Sequence, residues 1–326
     1  MMPSHNLMNP ITVGLIGLGR HGQRYARHLT EDVSDARLVA VARQDPSRPL
    51  PAGLAPSTTV HRTFEALAAD PSVQALVAVV PPALHPQIAA AAARAKKPLL
   101  LEKPLAVSIS EADRIIQTVR QTQLPLMVAQ TLRFNRALQV VRERLPLLGR
   151  LHRLSLRLTV PPRQRPPGNP GAGGRGAVLD LGVHLTDLVH WWLAPTALRV
   201  EQATLSFLAD GTDDAGTVTL TTDGGCRCLL TVAWEGETRV GCGTIEGERG
   251  TIEVDWRTHR IRTEMGGAAP KEDVVPERPT ICDGLIAWLA ALRTGPGPMP
   301  ITAGDGYRAL RTVEDWYGAG TKGRAL

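Results

Sequence analysis

The side chains best suited to chemistry lie far apart in this sequence. The run Asp180-Leu181-Gly182-Val183-His184-Leu185-Thr186-Asp187 holds two carboxylates and an imidazole. At about 100° per residue, Asp180, His184, Asp187 and Trp191 share one stripe of a helix, and Leu181, Leu185 and Leu188 share another. The leucines read as core. A stripe of acids and imidazole is costly to bury without a purpose, and imidazole titrates near neutrality, where proton transfer is useful. Asp187 also fits a structural role, as one half of a pair satisfied beneath a sheet. A candidate cation stands earlier, in Leu101-Glu102-Lys103-Pro104. It follows the apolar run Pro98–Leu101, which reads as a strand, and ligands of open parallel sheets bind beyond the carboxyl ends of strands. The proline biases Lys103 toward extended backbone. A surface lysine paired with Glu102 is the other reading of this tripeptide.

A second kind of chemistry is written in Gly17-Leu18-Gly19-Arg20-His21-Gly22, which follows the apolar run Ile11–Ile16 and precedes helical sequence. Gly17 permits a tight turn, Gly19 lets a pyrophosphate approach the backbone, and Gly22 lets helix pack on strand. Arg20 and His21 open the helix, whose N-terminus offers N–H groups and a positive dipole to phosphates. These residues point to a dinucleotide. An acid that would bind the ribose hydroxyls belongs at the end of the second strand, and Arg43 stands there instead. An arginine would pair with a 2′-phosphate, making NADP the preferred cofactor, whereas stacking on adenine would leave NAD acceptable.

The surrounding sequence supplies elements to hold these groups. Through the first third, apolar runs at Ile11–Ile16, Leu38–Ala42, Ala75–Val80 and Pro98–Leu101 alternate with helical stretches at Tyr25–Leu29, Phe64–Ala69 and Ile88–Ala95. Ser108 and Glu111 form a capping box for a helix running to about Gln121. This alternation predicts a doubly wound parallel sheet. After a helix around Ala137–Leu145, strand-like runs at Leu151–Val160, Val200–Phe207, Thr217–Thr222, Cys226–Trp234 and Thr244–Val254 predict a mostly antiparallel, open sheet. Pro161–Ala177 is a Pro/Gly loop whose Arg163, Arg165 and Arg175 meet no acid, which points to an anionic substrate or substrate end. Helices over Ile281–Leu292 and Gly306–Trp316 finish the chain.

Composition narrows the function classes. Hydrophobic residues make up 43% and charged residues 21% of 326, the balance of a globular chain with room for two domains. The net charge of +6 comes mainly from arginines scattered without a basic block, so no nucleic-acid partner is expected. No apolar run reaches the roughly 20 residues of a membrane span. The opening residues lack the pattern of a signal peptide, and Cys226, Cys228, Cys242 and Cys282 lack metal-ligand spacing. Reduced thiols, a cytoplasmic location and no metal follow as expectations.

Taken in order, GxGxxG, Glu102-Lys103-Pro104 and a Gly-rich loop leading into Asp180-x-Gly182-x-His184 resemble the Gfo/Idh/MocA family of glucose–fructose oxidoreductases and inositol dehydrogenases. The likeness runs on through Gly243-Thr244-Ile245-Glu246-Gly247 with Gly250, and through Ile301-Thr302-Ala303-Gly304-Asp305-Gly306. It implies an α/β Rossmann domain over residues 1–130 and an α+β substrate and oligomerisation domain over 131–326, the last helices packing back on the first domain. It also implies that Lys103, Asp180 and His184 meet the substrate carbon beside the nicotinamide. Pro81, His85, Glu102 and Arg133 would lie on the cofactor side. Val80-Pro81-Pro82 departs from the family's frequent Thr-Pro-Asn, and Arg43 from its usual acid.

The implied activity is hydride transfer between NAD(P) and a hydroxyl or carbonyl carbon of a carbohydrate-like substrate: a sugar, polyol or sugar acid. Lys103 would stabilise the alkoxide and His184 would carry the proton, although the roles of acid and base between them stay open. Asp180 would hold the substrate hydroxyl or orient the imidazole. An NAD-dependent, redox-assisted glycoside hydrolase and a ligand-sensing regulator are the rival readings. The presence of all three candidate residues speaks against the regulator. The uncovered sheet face predicts a homodimer or homotetramer.

Overall fold

Short apolar strands, buried along most of their length, build the first sheet of the computed structural model, which describes residues 9–164, 175–194, 196–295 and 297–322. In chain order these are β1 (Ile11–Ile16), α1 (Arg20–Arg27), β2 (Ala36–Ala42), β3 (Thr59–His61), α2 (Phe64–Ala69), β4 (Ala75–Ala78), α3 (His85–Arg94), β5 (Leu99–Glu102), α4 (Ile109–Thr122) and β6 (Leu126–Ala129). All neighbouring strands run parallel, in the order β3-β2-β1-β4-β5-β6. The order reverses direction between β1 and β4, the switch point at which doubly wound sheets bind ligands. Residues such as Val13, Leu15, Leu76, Val77, Leu99 and Leu101 are fully or almost fully buried, as a sheet covered on both faces requires. At α4, Ser108 Oγ accepts from the Glu111 N–H at 3.3 Å, while Glu111 reaches back to the Val107 N–H at 3.2 Å.

The second sheet follows from a different pattern. After α5 (Arg136–Arg144) and β7 (Leu151–Thr159), α6 (Ala177–Leu193) leads to β8 (Leu198–Phe207), β9 (Asp213–Thr222), β10 (Arg227–Ala233), β11 (Val240–Gly247), β12 (Gly250–Asp255), β13 (Arg260–Met265) and β14 (Lys271–Val274). Then come α7 (Thr280–Thr294), α8 (Ala303–Ala319) and β15 (Gly320–Lys322). The nine strands are ordered β14-β13-β12-β11-β7-β10-β9-β8-β15, antiparallel except for β7–β10 and β8–β15. On β9 and β10 the buried set Val218, Leu220, Cys228, Leu230 and Val232 alternates with more exposed residues. Helix α6 covers the buried face of β7, β9 and β10.

Two compact units result. The first comprises residues 1–102, 114–129 and 281–303; the second comprises 103–113, 130–280 and 304–326. The strand-like run Thr244–Val254 folds as a hairpin about the turn that the family resemblance implies there, Gly247 pairing with Gly250 around Glu248-Arg249. A side chain on Gly250 would lie 2.0 Å from the Glu264 carbonyl oxygen on β13, so the two strands approach where only glycine fits. All four cysteines are free thiols, three of them buried.

Candidate active site

In the first unit the glycine motif has the geometry a dinucleotide needs. Gly17 has φ +91°, and a Cβ there would lie 2.2 Å from the Val79 carbonyl oxygen. A Cβ on Gly22 would lie 2.1 Å from the Gly17 carbonyl oxygen, so α1 is seated directly against the turn. Gly19, by contrast, faces open space, with nothing within 4 Å of a built Cβ. It caps α1 without a side-chain hydrogen bond, and no acid occupies the first turn. The first N–H groups of a helix have no partner within it, so this end suits an anion. The residues present therefore fit a pyrophosphate.

Glu102 ties this helix to the sheet. Its Oε1 accepts from Tyr25 Oη at 2.6 Å and lies 2.8 Å from His21 Nε2. Burial, reinforced by the carboxylate, pushes the Tyr25 phenol well above its usual range and keeps it a donor. Tyr25 was not singled out from the sequence, although its position four residues after His21 places both on one face of α1. Arg20 and Pro81 are exposed, and His85 is fully buried at the start of α3. Arg43 follows β2 beside the glycine turn, whose Gly17 N–H bonds the Ala42 carbonyl at 2.9 Å. Its guanidinium does not extend outward but donates to the carbonyls of Pro46, Arg48 and Pro49 in its own loop.

In the second unit, Lys103 and α6 come together. Lys103 Nζ donates to Asp180 Oδ1 at 2.6 Å and to the Asp180 carbonyl at 2.8 Å. The two side chains are 16% and 21% exposed, sheltered yet open to a small molecule. Burial, the largest influence on Asp180, pushes its carboxyl up. The charge and hydrogen bond of Lys103, helped by His184 and the indole of Trp234, outweigh burial and hold it below the usual carboxylate value. His184 lies one turn further along α6 and is partly exposed, whereas Leu181 and Leu185 are buried, as the stripes predicted. Trp234, just after β10, had no signal in the sequence beyond its residue type. The arrangement offers a cation just after β5 and, on neighbouring turns of α6, an ionised acceptor and an imidazole.

Other expected contacts are placed differently. Arg133, read from the resemblance as a cofactor-side residue, is buried and pairs bidentately with Asp187 at 2.8 and 2.6 Å, and with Asp305 at 3.2 Å. A buried guanidinium must be matched by acids, and Asp187 on α6 meets that need. Arg175, expected near an anionic substrate, bonds Glu314 and the Val107 carbonyl. Arg163 donates to the Glu237 carbonyl at 2.8 Å, and Arg165 lies outside the described residues.

Comparison with known proteins identifies the family of both halves of the chain. Residues 11–130 match the model of the oxidoreductase family with an NAD-binding Rossmann fold, and residues 139–253 match the GFO/IDH/MocA C-terminal domain. The chain is 26% identical to a dTDP-3,4-didehydro-2,6-dideoxy-alpha-D-glucose 3-reductase of Saccharopolyspora spinosa, covering 93% of this chain and 94% of the relative. It is 27% identical to inositol 2-dehydrogenase 2 of Saccharopolyspora erythraea, covering 93% and 91%. Among solved structures, KijD10, a 3-ketoreductase from Actinomadura kijaniata, shares the fold with a TM-score of 0.82 at 22% identity, over 96% and 99% of the chains. UDP-N-acetylglucosamine 3-dehydrogenase GnnA from Acidithiobacillus ferrooxidans gives 0.81 at 20% identity, over 96% and 98%. With both halves matched to models of one group and the glycine turn folded to fit, the chain belongs to the GFO/IDH/MocA family of oxidoreductases with an NAD-binding Rossmann fold.

Proposed function

We propose that this enzyme transfers a hydride between NAD(P) and a hydroxyl or carbonyl carbon of a sugar, polyol or sugar acid, with Lys103, Asp180 and His184 at the reacting oxygen. The observation that carries this reading is the sheltered Lys103–Asp180 pair, 2.6 Å apart, with His184 one turn along the same helix. Residues of the N-terminal 130 hold the dinucleotide through Gly17, Gly19 and Gly22, and those of 131–326 select the substrate. When bound, the nicotinamide supplies or accepts the hydride. Lys103, as a cation, stabilises negative charge on the substrate oxygen. Asp180, held ionised, accepts a hydrogen bond from the substrate hydroxyl, and His184 carries the proton.

Several features support finer readings. The absence of an acid at Arg43 favours NADP, the cofactor present with KijD10 in its solved complex. The carbonyls now bonded to Arg43 would have to yield it to a 2′-phosphate. The two relatives with sugar names act on nucleotide-linked sugars, which places such substrates beside inositols in any screen. The half-exposed outer face of the nine-stranded sheet, with Leu229 among its exposed residues, supports a homodimer or homotetramer. No helix among the described residues is long and apolar enough to cross a membrane, which accords with a cytoplasmic enzyme.

Nicotinamide absorbance followed across inositols, sugars, sugar acids and nucleotide-linked sugars tests the reading. Turnover should appear with one of these classes. His184→Ala should lower kcat by roughly 10²–10⁴-fold, the scale of a positioned acid–base group. Lys103→Met should bind cofactor and lose turnover; normal turnover in that variant would overturn the assignment.

A further inference from the structure

Helix α6 carries Asp180 and His184 but does not cap its own N-terminus. Gly176, at the cap position, has no side chain to offer. A Cβ on it would lie 2.0 Å from the Asp213 carbonyl oxygen. The cap comes from another element. Asp213, at the start of β9 and fully buried, accepts from the Gly176 N–H at 2.6 Å and from the Val178 N–H at 2.7 Å, one bond to each carboxylate oxygen. Tyr317 Oη on α8 donates to the same carboxylate at 2.8 Å. Burial and the Asp213 charge keep that phenol protonated, so it stays a donor. The Gly176 carbonyl then accepts from the Asp180 N–H at 2.9 Å, so Asp180 is one backbone bond removed from the cap.

A second tie starts from the neighbouring residue. The Arg175 guanidinium stacks over the Tyr317 ring at 5.2 Å and pairs with Glu314, also on α8. It also donates to the carbonyl of Val107, which lies on the segment that begins with Lys103. Both partners of the Lys103–Asp180 pair are therefore anchored through adjacent residues, Arg175 and Gly176, to one helix.

We propose that Asp213 and Arg175, held by Tyr317 and Glu314, are positioning residues that set the register in which Asp180 and His184 meet Lys103. The inference rests on the catalytic reading above. A misplacement of about 1 Å in such a constellation costs on the order of a hundredfold in rate. Asp213→Asn keeps the shape but loses the charge and one of the two acceptors; Arg175→Gln cuts the link to Val107, and Arg175→Lys keeps part of it.

The experiment is steady-state kinetics of the full-length enzyme over a pH series, with thermal unfolding of each variant alongside. Asp213→Asn should lower kcat roughly 10- to 100-fold and leave KM for NAD(P) within about twofold. The acid limb of kcat/KM should move to higher pH, because Asp180 loosened from Lys103 loses what keeps it ionised. Arg175→Lys should retain more turnover than Arg175→Gln. If Asp213→Asn does not fold, Tyr317→Phe, which deletes one hydroxyl, serves in its place and should move the acid limb in the same direction. Folded variants with normal kcat, an unchanged acid limb and only a lower Tm would overturn the inference. Lys103→Met, run in parallel, separates the two failures. If it is inactive while Asp213→Asn and Tyr317→Phe are normal, positioning alone is wrong; if it turns over normally, the catalytic reading falls and this inference with it.

Discussion

Replacing Lys103 by Met while keeping Asp180 strands a carboxylate in a sheltered site, and the cost can be worked from the geometry. The charged atoms are 2.6 Å apart, and the side chains are 16% and 21% exposed. At an effective dielectric of about 20, unit charges at that distance attract by roughly 6 kcal/mol, much of which is offset by the dehydration of both ions. Removing one member of a buried pair costs about 3–5 kcal/mol; partial exposure here argues for the lower end, about 3 kcal/mol near neutral pH. The dependence on pH is more diagnostic than the size. In the native protein Asp180 is held below its ordinary pKa, so its pairing stabilises the fold above the unfolded pKa and fades as pH falls through the folded value. Without Lys103, burial, the largest influence, is opposed only by His184 and the Trp234 indole and raises the carboxyl above its unfolded value. The destabilisation of Lys103→Met should then be greatest near neutrality and shrink as pH falls to about 5. Urea unfolding of the wild type, Lys103→Met, Asp180→Asn and the double variant, near neutral pH and near pH 5, measures this. The double variant should recover about 1–2 kcal/mol over Lys103→Met at neutral pH, because the stranded charge is gone. A Lys103→Met penalty equal at both pH values, with no recovery in the double variant, would refute the buried ion pair.

The second and third glycines of the motif should separate folding from binding. Gly22→Ala, with its Cβ 2.1 Å from a carbonyl oxygen, should lose at least about 2 kcal/mol of stability, whereas Gly19→Ala should keep its Tm and bind NAD(P) roughly tenfold more weakly by calorimetry. His190, whose Nε2 lies 2.9 Å from Thr312 Oγ1, is pushed down to about 4 by burial and then by Arg308 and Arg133. The unfolded chain therefore binds the extra proton first, and His190→Asn should remove about 2–3 kcal/mol of the stability the wild type loses between its unfolded pKa and about pH 4, as read by denaturant titration.

Much of this architecture was legible from periodicity. Continuous apolar runs give covered parallel strands, and β1, β4 and β5 lie within a few residues of where those runs placed them. The helix through Asp180 and His184 was equally plain, since its leucine stripe could face only a core. The missing elements carry weak signals. Strands β3 and β14 are three and four residues long and polar or half-exposed, too short to show a period, and the β11–β12 hairpin turns through Glu248-Arg249 without the Asn-Gly signal that marks tight turns. Strands β6 and β13 were missed as well: Leu126–Ala129 is a four-residue apolar run with no period, and Arg260–Met265 buries only Ile261 among exposed Arg260, Arg262 and Glu264. Arginine partners were the least legible. Arg43, Arg133 and Arg175 each bond groups brought to them by the fold, carbonyls in the first case and acids from α6 and α8 in the others. Nothing in residue type alone separates an arginine that waits for a ligand from one already committed to its own chain.

The place of β7 has a consequence for biosynthesis. Its two sheet neighbours, β10 and β11, are both encoded after it, beginning at Arg227 and Val240. At about 5–20 residues per second, roughly 70–80 further residues must be made before either edge can close, a delay of several seconds. During that interval the nascent chain exposes a nine-residue strand with Leu154, Leu156 and Leu158 on one face and two unpaired edges. Such a strand is a template for pairing between nascent chains on neighbouring ribosomes. Its other positions include His152, Arg153 and Arg157, all exposed in the finished fold. Arg157 meets Glu235 at 2.6 Å once the sheet is complete; before then Arg153 and Arg157 place like charges on the face opposite the leucines, the kind of placement that limits pairing between chains.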